Sequence, residues 1–179
     1  MSGPPVLLIP GLWNSGPDHW QSHWERAHPR CQRLQQRDWE TPRCAEWVSA
    51  LEQAVAALGP ATVLVAHSLG CATVAHWARH TRQRVRGALL VAPSDVEARA
   101  YPPGTEGFAP MPLERLPFPA IVVVSENDEY VAPTRARQFA AAWGGEPVSV
   151  GRAGHINSAS RLGPWPEGWA LVQRLVEDS

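Results

Sequence analysis

The chain has 179 residues, with 16 basic and 17 acidic side chains spread along it and a formal net charge of −1. This length predicts one domain over residues 1–179, large enough to bury a core but small for an enzyme with a separate cap. Because the charges are balanced and form no basic stripe, we expect no nucleic-acid partner.

Cysteine usage and the amino terminus narrow the class of protein further. Cys31, Cys44 and Cys71 are odd in number and lack the spacing of a zinc site, which favours buried thiols over disulfides or metal ligands. The first residues carry no charged region, and Gly11 precedes any long apolar stretch. We therefore expect no signal peptide, no membrane partner and a cytoplasmic location.

Apolar runs alternate with helical patterns along the chain. The runs at 6–9 and 121–124 are apolar at every position, as expected for strands covered by helices on both faces. This alternation predicts an α/β fold with a mostly parallel sheet of about six strands. The predicted strands are 6–9, 31–37, 62–66, 88–92, 121–124 and 147–150. The predicted helices are 19–28, 45–58, 69–80, 134–143 and 165–176. The segment 93–119 contains seven prolines and is predicted to be a long excursion over the surface.

The loop after the first strand contains residues that suit a binding site. Gly11 allows the backbone to approach a ligand closely. Trp13 is a candidate for the wall of a substrate pocket, although a buried structural role is the commoner use of tryptophan. Further along, Asp18 indicates the start of a helix, and His19 is expected to pack or cap rather than to ionise in catalysis.

The strand at 62–66 leads through Ala66-His67-Ser68-Leu69-Gly70 directly into a helix. Such a sharp strand-to-helix turn is a nucleophile elbow, which exposes the serine hydroxyl above the sheet edge. The alternative is that Ser68 is an ordinary helix cap. We expect His67 to shape the elbow and to border the substrate.

Two later strands end near the side chains that a serine nucleophile requires. Asp128 follows the strand at 121–124, and His155 follows the strand at 147–150. An imidazole takes the serine proton, and a carboxylate fixes the imidazole tautomer and stabilises the imidazolium. The chain order Ser68, Asp128, His155 is the order found in α/β-hydrolases, so these residues are the predicted catalytic triad.

The acid role has alternatives. Asp95, after the strand at 88–92, is the main competitor of Asp128, and Glu126 and Glu129 are lesser ones. A solvated turn or a helix cap explains Asp95 equally well. We favour Asp128 because it follows a strand in the latter part of the predicted sheet, as the triad acid does in α/β-hydrolases.

Acyl transfer also needs two N–H donors for the developing oxyanion. The backbone N–H of Leu69, directly after the nucleophile, is one candidate, and the loop after the first strand offers the other, from Leu12 in preference to Trp13. No dinucleotide-binding or P-loop motif occurs in the sequence, so we expect no cofactor and no metal.

The segments at 10–20, 66–70, 125–128 and 154–158 resemble those of the small single-domain serine hydrolases grouped with retinoblastoma-binding protein nine. The resemblance covers nearly the whole chain. It implies an α/β-hydrolase sheet without a large cap, activity on carboxylic esters or amides, and a triad of Ser68, Asp128 and His155. The L-x-C-x-E segment on which retinoblastoma protein binding depends in animal members is missing here, so that partner is not carried over.

Taken with the residues, the resemblance favours a two-step hydrolysis of small-molecule esters. An amidase-like or aminopeptidase-like hydrolase would use the same side chains and stays open. A non-catalytic binding or regulatory module on a hydrolase fold is the third hypothesis. The sequence indicates no oligomeric state.

Overall fold

Six parallel strands form one sheet in the computed structural model, which describes residues 3–177. They are β1 (Val6–Ile9), β2 (Cys31–Arg33), β3 (Val63–His67), β4 (Gly87–Val91), β5 (Ala120–Val124) and β6 (Glu146–Ser149), in the spatial order β2-β1-β3-β4-β5-β6. The chain passes from β1 to β2 at one edge, then crosses back to β3 and continues toward the other edge. The strand order therefore reverses at β1 and β3, and the loops after these strands meet at the carboxyl end of the sheet.

Five α-helices in the described range cover the sheet on both faces: α1 (Trp20–Ala27), α2 (Cys44–Leu58), α3 (Leu69–Ala78), α4 (Pro133–Trp143) and α5 (Pro166–Glu177). A short 3₁₀ helix spans Ser158–Ser160. This arrangement, without a large cap, confirms the predicted α/β fold. Between residues 3 and 177, no helix combines the length and apolar character needed to cross a lipid bilayer.

Strand side chains alternate between the two faces of the sheet and so build two cores. Leu7 and Ile9 pack on the side of α2, α3 and α4. Val6 and Leu8 pack on the side of α1 and α5. The strands are buried on both faces, which explains why their sequences are apolar at successive positions.

Tryptophan side chains fill much of both cores. Trp20 and Trp24 of α1 pack edge to face with ring centroids 4.6 Å apart, and Trp165 lies against both. Trp47 and Trp143 are buried on the opposite face. Because each large ring removes much apolar area from water, at roughly 25 cal/mol per Å², these tryptophans have the structural role expected for most of them.

The second strand is shorter than predicted, ending at Arg33 rather than at residue 37. The N–H of Leu34 still bonds to the carbonyl of Leu8, but Pro10 follows directly after β1 and offers no N–H for further pairing. The other predicted strands and helices occur within one or two residues of their expected bounds.

The proline-rich segment 93–119 forms no helix or strand, as predicted, but it does more than cross the surface. Its Phe108, Met111 and Leu116 are buried in the core on the side of α2, α3 and α4. The Phe108 ring lies 5.7 Å from the ring of Trp47, and the Phe108 carbonyl is 2.8 Å from Nε2 of His76. The apolar side chains of this segment are not spaced as in a helix or a strand, so the sequence did not indicate that they belong to the core.

The three cysteines are free and buried, as predicted. Burial raises the pKa of Cys31 to about 12 and that of Cys44 to about 11, and it also raises the pKa of Cys71. The thiolate form is therefore rare near neutral pH, and these side chains behave as small apolar groups.

Candidate active site

Ser68 lies in the sharp turn between β3 and α3. Its φ of 55° and ψ of −120° are unusual for a residue with a side chain, as expected of a nucleophile elbow. The Ser68 N–H donates to the carbonyl of Val91 at 3.0 Å, which ties the turn to β4. A Cβ added at Gly70 would lie 2.4 Å from the carbonyl oxygen of Ile9, so the start of α3 can pack against β1 only with glycine there.

The loops after β5 and β6 bring Asp128 and His155 to the nucleophile. The Ser68 hydroxyl is 2.8 Å from Nε2 of His155. Nδ1 of His155 is 2.9 Å from each carboxylate oxygen of Asp128, whose side chain is fully buried. A carboxylate only accepts, so Nδ1 carries the proton and Nε2 is free to take the proton of the serine.

Two of the competing acidic residues, Asp95 and Glu126, have other partners. The Asp95 carboxylate is 3.5 Å from Nε of Arg135. Glu126 pairs with Arg137 and accepts a hydrogen bond from the Ser149 hydroxyl at 2.8 Å. Asp128 is therefore the acid that contacts the histidine.

Two backbone amides are available as oxyanion donors, those of Leu12 and Leu69. Within residues 3–177, no backbone carbonyl accepts either N–H. The N–H of Trp13 instead donates to the carbonyl of Trp39 at 2.8 Å, so Leu12 is the candidate donor from this loop. A Cβ at Gly11 would lie 3.1 Å from the Leu69 nitrogen, so glycine permits the loop to approach the elbow.

His67 and His19 extend the site behind the catalytic imidazole. Nε2 of His67 donates to the carbonyl of His155 at 2.9 Å, and the rings of His67 and His155 are 4.9 Å apart. Burial lowers the pKa of His67 well below its usual value, with the charges of His19 and His155 adding to the effect. His67 is thus a neutral donor that holds the loop carrying His155.

Helix α1 begins differently from the prediction. Its N-cap is His19, whose Nδ1 accepts the N–H of Gln21 at 3.1 Å, while Asp18 is an exposed turn residue. The expectation that His19 caps is confirmed, and the helix start assigned to Asp18 was wrong. An imidazole nitrogen acts here as the acceptor that the carboxylate was expected to supply.

Sequence reasoning missed the residues that join the acid loop to the histidine loop. The Asn127 side-chain carbonyl accepts the N–H of Gly154 at 2.9 Å and the hydroxyl of Ser125 at 3.1 Å. The Ser125 hydroxyl oxygen accepts the N–H of Ala153 at 3.0 Å. The polar cluster directly after β5, next to Asp128, could have indicated these contacts. Residues at the ends of neighbouring parallel strands lie close together, so this cluster was expected near the loop that carries His155.

A pocket of about 330 Å³ opens above Ser68. Trp13 lies at its rim with 58% of its surface exposed, and His67 borders it. The proline-rich segment contributes Tyr101, which no sequence pattern marked. The lining residues are Leu12, Trp13, Asn14, His19, His67, Ser68, Tyr101, Pro102, Tyr130, His155, Asn157, Ser158 and Ala159.

Each of the three histidine rings at this site is hydrogen-bonded to the protein. Each ring uses at least one nitrogen in a hydrogen bond to the protein, and His155 uses both. Among residues 3–177, no group of histidine, cysteine, aspartate and glutamate side chains has the arrangement needed to hold a metal ion.

Comparisons with known proteins bear on the family and on the fold. The sequence model of the family described as serine hydrolase matches residues 6–174. A YdeN-like hydrolase from Pectobacterium atrosepticum is 32% identical over 98% of this chain and 91% of its own, with a TM-score of 0.86. No significant match was found among curated proteins.

Two more distant solved structures share the fold. The ydeN gene product of B. subtilis is 20% identical, with 96% of this chain and 98% of its own covered and a TM-score of 0.80. A thermophilic esterase from Thermogutta terrifontis is 16% identical over 98% of this chain and 91% of its own, with a TM-score of 0.71.

Proposed function

The chain belongs to the serine hydrolase family, and from that premise we propose that it cleaves small carboxylic esters through an acyl-enzyme on Ser68. The observation that carries the proposal is the continuous hydrogen-bonded series from Ser68 through His155 to Asp128, at 2.8 and 2.9 Å. A serine hydroxyl in this arrangement loses its proton to the imidazole as it attacks a carbonyl carbon.

In the first half of the reaction, the Ser68 oxygen bonds to the ester carbonyl carbon and His155 takes the hydroxyl proton. The carbonyl oxygen becomes an oxyanion, which the N–H groups of Leu12 and Leu69 stabilise. Each such donor contributes about 3 to 4 kcal/mol to lowering the barrier. The imidazolium then gives its proton to the departing alcohol, and the acyl group stays on Ser68.

In the second half, water attacks the acyl-enzyme while His155 takes one of its protons. Collapse of the second tetrahedral intermediate returns that proton to the Ser68 oxygen and releases the carboxylic acid. Asp128 stays ionised throughout and stabilises the imidazolium through the Nδ1 hydrogen bond.

The pocket supports a small substrate. Its volume of about 330 Å³ is at the lower end for small-molecule sites, and aromatic side chains from Trp13, Tyr101 and Tyr130 supply much of its wall. Short acyl chains on a compact alcohol fit such a space, so we assign the activity to short esters rather than to long-chain lipids.

The test compares Ser68→Ala with wild type on p-nitrophenyl butanoate. Loss of the nucleophile lowers kcat by about 10⁴- to 10⁶-fold while the circular dichroism spectrum stays unchanged. Ser49→Ala, on α2 and remote from the pocket, is the matched control and retains wild-type turnover. Full turnover by Ser68→Ala would overturn the assignment.

Two further measurements separate the other hypotheses. Butanoyl p-nitroanilide matches the ester in its acyl group, so faster cleavage of the anilide would favour an amidase. A fluorophosphonate probe labels an activated serine, and we expect it to label wild type and not Ser68→Ala. Failure of the native protein to label would favour a non-catalytic binding module.

A further inference from the structure

His19 lines the same pocket, on the side of the loop that follows β1. The residue is only 3% exposed, and its Nδ1 accepts the backbone N–H of Gln21 at 3.1 Å. Because a backbone N–H can only donate, Nδ1 presents its lone pair. The neutral ring therefore carries its proton on Nε2.

That Nε2–H is buried and has no hydrogen-bond partner among residues 3–177. Buried polar atoms of side chains are nearly always paired, so an unpaired donor beside a pocket points to a group that enters the pocket. His67 differs in this respect, since its Nε2 donates to the carbonyl of His155. Of His19 and His67, His19 is therefore the residue whose ring N–H is available to a bound substrate.

The position of the His19 ring is fixed by the first turn of α1. Gln21 is fully buried, and its side-chain amide donates to the carbonyl of Val65 at 3.2 Å. The indole N–H of Trp20 donates to the carbonyl of Ile156 at 2.8 Å. These bonds tie the helix start to β3 and to the loop that carries His155, so the donor needs no ordering when a substrate binds.

The surroundings of His19 determine the charge state of its ring. Burial, followed by the positive charges of Arg33 and of protonated His155, lowers the pKa of His19 to about 3. The ring is therefore neutral near pH 7 and does not repel the imidazolium that forms on His155 during the reaction. A neutral N–H donor can bind an uncharged oxygen, such as that of an ether, a hydroxyl or a ketone, without a charge to balance.

We infer that His19 determines substrate specificity by donating a hydrogen bond from Nε2 to a second oxygen of the ester, apart from the carbonyl held by Leu12 and Leu69. The inference rests on the proposed ester hydrolysis at Ser68. It identifies the preferred substrates as small esters with an additional neutral oxygen in the acyl or the alcohol part.

The experiment uses two pairs of esters in which an ether oxygen replaces one methylene. p-Nitrophenyl methoxyacetate is paired with p-nitrophenyl butanoate for the acyl part, and 2-methoxyethyl acetate with butyl acetate for the alcohol part. The ratio of kcat/KM within each pair is measured for wild type, His19→Asn and His19→Gln. Asparagine keeps an oxygen to cap α1 but does not reach the Nε2 position, whereas glutamine places an amide N–H near it.

We expect His19→Asn to reduce the preference for the oxygen-containing ester in one pair by about fivefold or more, and His19→Gln to restore part of it. The pair that responds shows whether the oxygen lies in the acyl or the alcohol part. Ratios that stay at the wild-type value in both pairs would overturn the inference and leave ester hydrolysis standing. If wild type cleaves none of the four esters, the proposed function itself fails.

Discussion

A methyl group built on Gly11 would lie 2.8 Å from the Cβ of Ser68, closer than two such carbons can approach. The same methyl would be 3.0 Å from the His67 carbonyl oxygen and 3.1 Å from the Leu69 nitrogen. The loop after β1 and the elbow after β3 therefore pack with no room for a side chain between them. This contact brings the loop that carries the Leu12 amide against the elbow that carries the Leu69 amide, the two proposed oxyanion donors.

We expect Gly11→Ala to lower kcat by about 100-fold, because displacing one donor by about 1 Å removes much of its stabilisation of the oxyanion. KM changes less, since the pocket walls remain. Gly16→Ala is the control: it lies in the same loop, with no atom within 4 Å of the added Cβ. Steady-state kinetics on p-nitrophenyl butanoate checks both variants, and equal kcat values for the two would contradict the proposed role of this contact.

Asp128→Asn removes the carboxylate that accepts from Nδ1 of His155. An amide there can favour the wrong imidazole tautomer, so kcat falls by about 10³- to 10⁴-fold with the fold intact. Asp95→Asn, which breaks a partly exposed ion pair with Arg135, changes kcat by less than about threefold. Turnover of p-nitrophenyl butanoate by both variants distinguishes the two acids. If only Asp95→Asn lost activity, Asp128 would not be the triad acid.

The choice between these two acids shows where sequence reasoning reaches its limit. Chain order and strand ends were enough to select Ser68, Asp128 and His155, because the carboxyl ends of parallel strands meet at one edge of the sheet. Those signals did not show which way the Asp95 carboxylate points. Its pairing with Arg135 of α4 depends on how that helix packs, which no local pattern encodes.

Other parts of the site were beyond prediction for similar reasons. Tyr101 reaches the pocket from a segment without periodicity, so neither a helix nor a strand pattern fixed its position. Asn127 contacts Gly154 across 27 positions of sequence, which makes the hydrogen bond a product of the β5–β6 pairing. The expected capping role of His19 did not specify its acceptor nitrogen, and the proton on Nε2 follows only from the bond that Nδ1 accepts from the N–H of Gln21.

Trp13 offers a test of the pocket wall that leaves the chemistry intact. The residue is 58% exposed, while its backbone N–H is held by the carbonyl of Trp39. We expect Trp13→Ala to raise KM for p-nitrophenyl butanoate about three- to tenfold through lost apolar contact. Leu113→Ala, at a 43% exposed residue outside the pocket lining, should leave KM unchanged. An unchanged KM in Trp13→Ala would remove this residue from the substrate-binding wall.

The buried neutral histidines make the stability of the fold depend on pH. Burial lowers the pKa of His19 from 6.5 to about 3 and that of His67 well below 6.5. The unfolded chain takes up protons on both rings as the pH falls below about 6.5, whereas the folded protein does not. Between that pH and about 3, the unfolded state therefore binds more protons, and the free energy of unfolding decreases as the pH falls.

His19→Asn removes one of these rings while keeping an oxygen that can cap α1. From about pH 6 to about pH 4, its free energy of unfolding should fall less steeply than that of wild type, by up to about 1.4 kcal/mol per pH unit, the effect of one proton. Urea unfolding followed by tryptophan fluorescence measures both proteins across this range. The carboxylates titrate in both and cancel in the difference, so parallel curves would mean that His19 binds protons equally in the folded and unfolded states.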